Sequence, residues 1–256
     1  MSKLTRRELI ERSTLLMSAS ATGLTMLGAE GKQQAAAGKK LKIVVTGGHP
    51  DDPESGCGGT IALYSSWGHD VVILYLTRGE VGIEGKSMKE SAEIRTAESR
   101  KACEMLKARP VFAGQIDGST EVDGPHYKEF RQLVEAERPD IVLTHWPIDS
   151  HRDHRAASLL TYDAWLSGGR KFDLYYYEVD QGEQTQVFTP THYVDITQTE
   201  NQKRAACYAH ASQKPEATFY VLHDMMNRFR GMEYGVRYAE GFVRHNQNPA
   251  KTVWGL

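Results

Sequence analysis

Short, nearly unbroken apolar runs alternate along this chain with longer stretches of helical spacing. Positions 41–45, 70–77 and 140–145 are rich in Val, Ile and Leu. Runs of that kind belong to strands buried on both faces of a parallel sheet. Shorter runs at 110–113 and 241–243, an aromatic stretch at 172–179 and a run at 192–197 predict further strands. Between them, helical patterns cover 60–67, 87–108, 127–137 and 155–167, with another ending near His210 and a last one at 218–232. Ile94, Ala97, Ala102, Cys103, Met105 and Leu106 form the expected inner face of the second helix; Tyr220, Val221, Met225 and Phe229 form that of the last. Thr197 is the expected cap of the helix that follows it. This alternation predicts an α/β fold: a Rossmann-like, doubly wound, mainly parallel sheet with helices on both faces, in a single domain.

Composition narrows the picture. The chain has 256 residues, 40% hydrophobic and 25% charged, enough for one large core. Lys plus Arg number 31 against 33 Asp plus Glu, a balance that argues against a dedicated nucleic-acid surface. Three cysteines, Cys57, Cys103 and Cys207, are too few for a disulfide framework and read as small residues. Residues 1–39 stand apart. Arg6-Arg7 precede a mildly apolar, small-residue stretch at 13–29 that is too short for a comfortable membrane span, and Ala35-Ala36-Ala37 follows. This segment reads as a twin-arginine-type export signal and linker, with the mature protein starting near Gly38 and located in the periplasm or outside the cell. Residues 40–256 form the folded domain, with no membrane span, and a homo-oligomer is compatible with it.

Candidate chemistry sits at two strand ends. The first apolar run leads into Gly47-Gly48-His49-Pro50-Asp51-Asp52-Pro53-Glu54. His49 and Asp52 are ordinary zinc-ligand types that can face one point from such a turn, and Asp51 between them is free for another task. Glycine-rich turns often cradle phosphates, but this one lacks Gly-x-Gly-x-x-Gly and Gly-Lys-Ser/Thr. The run at 140–145 delivers His145-Trp146-Pro147-Ile148-Asp149-Ser150-His151-Arg152-Asp153-His154. His151 and His154, three apart, can share one side of a helical turn. Two His/Asp clusters at equivalent ends of parallel strands predict a metal site.

The pairing of His-Pro-Asp-Asp with Pro-x-Asp-x-His-x-Asp-His resembles the PIG-L/LmbE-like zinc-dependent N-deacetylases. Thr77-x-Gly79-Glu80-x-Gly82, Arg95-x-x-Glu98 and His210-x-Ser212-Gln213 are similar to further segments of that family. The likeness runs from about residue 40 to at least 213. It implies that His49, Asp52 and His154 hold Zn2+, with Fe2+ or another divalent metal as alternatives. It implies that Asp51 takes a proton from the attacking water and that His151 stabilises the oxyanion or protonates the leaving amine. It further implies that Asp153 orients His151 and that Arg95 meets sugar hydroxyls. Asp149 reads as a supporting carboxylate and His145 as structural. One departure stands out: the family usually has Glu directly after His-Pro-Asp-Asp, whereas Pro53 stands here and Glu54 follows.

The expected activity is hydrolysis of an N-acetyl group on an amino sugar or glycoconjugate of N-acetylglucosamine type, with a small molecule or glycan as substrate. The competing readings are another metal hydrolase, such as a phosphoesterase, and an exported sugar- or metal-binding protein without turnover. Against a two-metal phosphoesterase, no second full ligand set is visible in the sequence.

Overall fold

The computed structural model describes residues 39–250. The expected export signal lies outside the described residues. Seven strands form one sheet: β1 (Lys42–Gly47), β2 (Asp70–Tyr75), β3 (Arg109–Phe112), β4 (Ile141–His145), β5 (Asp173–Tyr177), β6 (His192–Asp195) and β7 (Ala239–Arg244). Their order is β3-β2-β1-β4-β5-β7-β6. The first five pair in parallel, while β7 runs antiparallel to both β5 and β6. The helices are α1 (Asp52–Ser66), α2 (Met88–Leu106), α3 (Gly124–Glu137), α4 (Arg152–Ser167), α5 (Glu200–Tyr208) and α6 (Phe219–Tyr234). This is the single-domain α/β architecture the alternation predicts, with an antiparallel pair closing one edge.

Neighbouring strand residues serve opposite faces of the sheet. Ile43 and Val45 join a core with Ile61, Cys103 and Leu106, whereas Val44 joins Phe130, Leu160 and Trp165. Helices α1, α2 and α5 thus cover one face and α3 and α4 the other. Chain order reverses between β1 and β4, so the crevice beyond their carboxyl ends is the topological switch point, where such sheets bind ligands. Both His/Asp clusters emerge there.

Several elements depart from expectation. Helix α1 starts at Asp52 rather than near residue 60, so most of the glycine-rich stretch is helical; a kink at Cys57 (φ −145°, ψ 24°) divides it. Helix α4 starts at Arg152, with His151 as its N-cap. Thr197 caps nothing: Thr199 precedes α5, and the Thr197 hydroxyl instead reaches the Tyr238 carbonyl at 3.5 Å. The last helix turns the other way from its apolar stripe. Val221, Met225 and Phe229 are 47%, 55% and 50% exposed, while His223, Asn227 and Arg230 are buried with Tyr220. Ion pairing inverts the face. Arg230 donates to both oxygens of Glu178 at 2.7 and 2.8 Å, and Asn227 accepts from the buried Lys203 ammonium at 3.0 Å. Among the described residues, no helix is long and apolar enough to cross a membrane.

Candidate active site

The turn after β1 is fastened from both sides. The Gly48 carbonyl accepts from the Thr77 amide (3.0 Å) and hydroxyl (2.9 Å), and the Gly48 amide donates to His145 Nε2 (3.0 Å). A Cβ on Gly48 would come within 2.9 Å of the His154 ring and 3.2 Å of Asp52 Oδ2, so glycine is required by the closeness of backbone to site. His145 accepts the Gly48 amide at Nε2, and burial together with the neighbouring His154 charge lowers its pKa to about 4. It is a neutral ring holding the turn, in keeping with its structural reading.

Asp52 lies at the centre. His49 Nδ1 is 3.2 Å from its Oδ2, and His154 Nε2 is 3.3 Å from its Oδ1. The outer nitrogens of both rings face carboxylates. His154 Nδ1 is 3.2 Å from Asp149, and His49 Nε2 is 3.1 Å from Asp153 and 3.2 Å from Asp117. An imidazole with its outer nitrogen tied to a carboxylate and its inner nitrogen turned to a shared point is the usual arrangement around a protein-bound metal. The three expected ligands, His49, Asp52 and His154, are all at least nine-tenths buried and fit a divalent cation by donor chemistry. Burial works against the proton on His154, but Asp52 and Asp149 outweigh it and push the pKa to about 9. His49 is raised in the same way by Asp117, Asp153 and Asp52 against burial.

Asp153 departs from its expected contact. Its carboxylate accepts from Thr120 Oγ1 (2.6 Å), the Gly118 amide (2.7 Å) and His49, not from the His151 ring. The backbone amide of Asp153 instead donates to His151 Nδ1 at 3.3 Å. A ring nitrogen that accepts carries no proton, so the proton of neutral His151 resides on Nε2. Burial and the nearby His49 and His154 charges lower the pKa of His151 and keep it neutral.

Asp51 is held in a strained backbone conformation, φ 113°, which is rare outside glycine. Three contacts fix it. Arg95 Nη2 donates to Asp51 Oδ2 at 2.8 Å and also to the Pro50 carbonyl, and the Asp51 amide donates to Glu54 Oε2 at 3.3 Å. Arg95 is thus buried against the expected base rather than open to solvent. Its guanidinium threads past Gly79 and Gly82, where added Cβ atoms would come within 2.3 and 2.4 Å of Nη1. Glu98 faces elsewhere, accepting from the Ser212 amide and hydroxyl. Glu54 is fully buried, accepts the Tyr75 hydroxyl at 2.5 Å, and lies 3.2 Å from His210 Nε2. Pro53 occupies the first turn of α1, and Glu54 after it reaches back to the Asp51 amide. Burial raises the Asp51 pKa against the opposing Arg95 charge, to about 6.

The sequence reading missed Asp117. It follows β3, and the rule that sites gather at the carboxyl ends of parallel strands would have found it. With Asp117 included, the donors around the turn fall into overlapping groups: His49, His151 and His154; His49, Asp117, His151 and Asp153; and Asp52, His145 and His154. Within each set the candidate ligand atoms lie within 4.8 Å of one another. A cleft of about 650 Å³ adjoins Asp51, bordered by Asp180, Glu183, Gln213, Phe219 and Leu222.

Residues 44–165 match the family described as PIG-L, GlcNAc-PI de-N-acetylase. The chain is 33% identical over 220 residues to the diacetylchitobiose deacetylase of Thermococcus kodakarensis, covering 78% of this chain and 81% of that protein. The crystal structure of the conserved protein TT1542 from Thermus thermophilus is similar at 31% identity and a TM-score of 0.71, over 84% of this chain and 97% of that one. The N,N'-diacetylchitobiose deacetylase from Pyrococcus horikoshii shares the fold, with 23% identity, a TM-score of 0.72 and 98% of both chains covered. Fold, motif positions and relatedness agree: the chain belongs to the PIG-L family.

Proposed function

We propose that the protein is a metal-dependent hydrolase that removes the acetyl group from an N-acetylated amino sugar of N-acetylglucosamine type, in an oligosaccharide or glycoconjugate, and releases acetate. The observation that carries this is the placement of Asp51. It is a strained, partly buried carboxylate, clamped by Arg95, at the edge of the cleft and next to the His49, Asp52 and His154 donors. The kinship with a diacetylchitobiose deacetylase supports the substrate class.

His49, Asp52 and His154 would hold a divalent metal, with zinc favoured by the mixed nitrogen and oxygen donors. When bound, such an ion supplies Lewis acidity to the amide carbonyl and makes water a better nucleophile. The remaining work belongs to side chains. Asp51, with a pKa of about 6, is ionised at neutral pH yet more basic than an ordinary aspartate, and accepts a proton from the attacking water. His151, neutral with its proton on Nε2, donates a hydrogen bond to the oxygen that gains charge as the carbonyl is attacked. Arg95 orients the base rather than the sugar. Asp153 and Asp149 fix the rings of His49 and His154.

The test is acetate release from a panel of N-acetylglucosamine compounds by metal-stripped enzyme, zinc-restored enzyme and the Asp51→Asn variant. Restored enzyme should release acetate. Asp51→Asn should bind metal as before and lose about two to four orders of magnitude in turnover. Loss of metal in that variant would make Asp51 a ligand, and no release from any compound would overturn the activity.

A further inference from the structure

We propose that the cleft beside Asp51 is a subsite for a protonated amino sugar, so that the enzyme prefers oligosaccharides in which a ring next to the acetylated one already carries a free amine. The wall of the cleft that follows β5 is acidic and short of donors. Asp180 and Glu183 border it, and no Lys, Arg or His lines it among the described residues. Arg95 offsets the charge of Asp51 at 2.8 Å, whereas Glu183 makes no ion pair among the described residues. Asp180 is 7% exposed, and its Oδ1 has no hydrogen-bond partner. His223 Nε2 lies 3.2 Å from that oxygen but accepts the Asp180 backbone amide at 3.3 Å, so it has no proton to give. Gln184 Oε1, on the same wall, is also buried without a partner. Buried acceptors of this kind cost free energy until a ligand brings donors to them.

The loop is fastened to the segment that carries the metal donors. Thr185 Oγ1 donates to Asp149 Oδ2 at 3.0 Å, and the Ser150 amide donates to the Gln184 carbonyl at 2.9 Å. The acceptors therefore stand at a set place relative to Asp51. Removal of an acetyl group turns a neutral amide into an ammonium with three donors and a positive charge, which answers both the missing donors and the carboxylates. Phe219, Val221 and Leu222 line the same cleft and offer an apolar surface to the C–H face of a sugar ring. This gives a use to Val221, which α6 leaves exposed. At about 650 Å³ the cleft is of the size that holds small ligands. A phosphate or carboxylate in the same place would face Asp180 and Glu183, so the charges also turn anionic glycoconjugates away. The selectivity rests on the deacetylase reading; binding of the amine does not.

The experiment has two arms on the full chain. In the first, zinc-loaded and metal-stripped protein are each titrated calorimetrically with fully deacetylated chitobiose and with cellobiose, which has hydroxyls in place of the amines. The diamine should bind both forms about tenfold or more tighter than cellobiose. Asp180→Asn should remove most of that difference and Glu183→Gln, at an exposed position, part of it; retained zinc content reports an intact fold. Equal binding of the two sugars, a preference that survives in both variants, or one that vanishes with the metal overturns the subsite. In the second arm, acetate release is compared between diacetylchitobiose and its two monoacetylated isomers. One isomer should show a kcat/KM about tenfold higher, through a lower KM, and Asp180→Asn should bring the ratio towards one. Release without such a preference overturns the selectivity. No acetate from any of the three overturns the deacetylase reading, while the first arm still decides the subsite.

Discussion

Asp51 shows how much of this site is spent on holding one side chain. A non-glycine residue at φ 113° costs on the order of 1–3 kcal/mol and persists only where its surroundings over-determine it. Arg95 and Glu54 supply that constraint. They explain why the sequence couples Arg95 to Gly79 and Gly82: the glycines clear the path of the guanidinium. Gly82→Ala should displace Arg95 from Asp51 and lower turnover with metal content unchanged, which parallel kinetic and metal analyses would check. Asp149 acts differently, by fixing the His154 ring. Asp149→Asn should weaken metal binding about 10–100-fold, measured by competition with a chelator. The pH dependence of affinity follows from the same rings. A metal needs a bare nitrogen, and His154 holds its proton up to about pH 9 in the metal-free protein. Binding below that pH therefore expels the proton, so affinity rises with pH by roughly tenfold per unit for each proton released and levels off once the rings are neutral. Titrations in buffers of different ionisation enthalpy would count those protons.

At the scale of elements, the kink in α1 sets the geometry of the turn. Its interruption at Cys57 leaves the Gly59 and Thr60 amides to Glu240 of β7, which accepts them at 2.9 and 2.8 Å and also takes the buried Lys203 ammonium at 2.7 Å. Glu240→Gln would leave that ammonium without its charge partner, and breaking a buried pair in this way costs about 3–5 kcal/mol. A marked fall in the denaturation midpoint is expected; an unchanged midpoint would show that the pair is not structural. These elements also mark what the sequence could and could not tell. Strands β1, β2 and β4 were legible because burial on both faces leaves unbroken apolar runs. Their ends held the visible clusters, so His49, Asp52, His151 and His154 were legible too. The orientation of α6 was not, because periodicity follows apolar residues and this helix buries charges paired with distant partners. Asp117 was hidden for a similar reason: a lone aspartate in an irregular loop gains meaning only when β3 is laid beside β2 and β1. The contact of Asp153 with His49, rather than His151, depends on where that loop passes.

For the whole molecule, the switch point between β1 and β4 explains why residues about a hundred positions apart share a site. The fold fixes the location, and the family's motifs fill it. The export reading belongs to this scale as well. If residues 1–39 direct passage through the twin-arginine route, N-terminal sequencing of protein recovered outside the cytoplasm should begin near Gly38, and an intact Met1 or Ser2 would overturn it. The tie from α1 to Glu240 bears on that passage. The donors lie between residues 49 and 154, yet the helix carrying Asp52 and Glu54 is fastened to β7, whose Glu240 lies 181 residues beyond Gly59. A nascent chain would thus have every donor emerged from the ribosome before the anchor that sets their spacing exists. Tight cation capture should then wait for β7, so that loading of the site would follow the folding of that strand rather than the emergence of the donors.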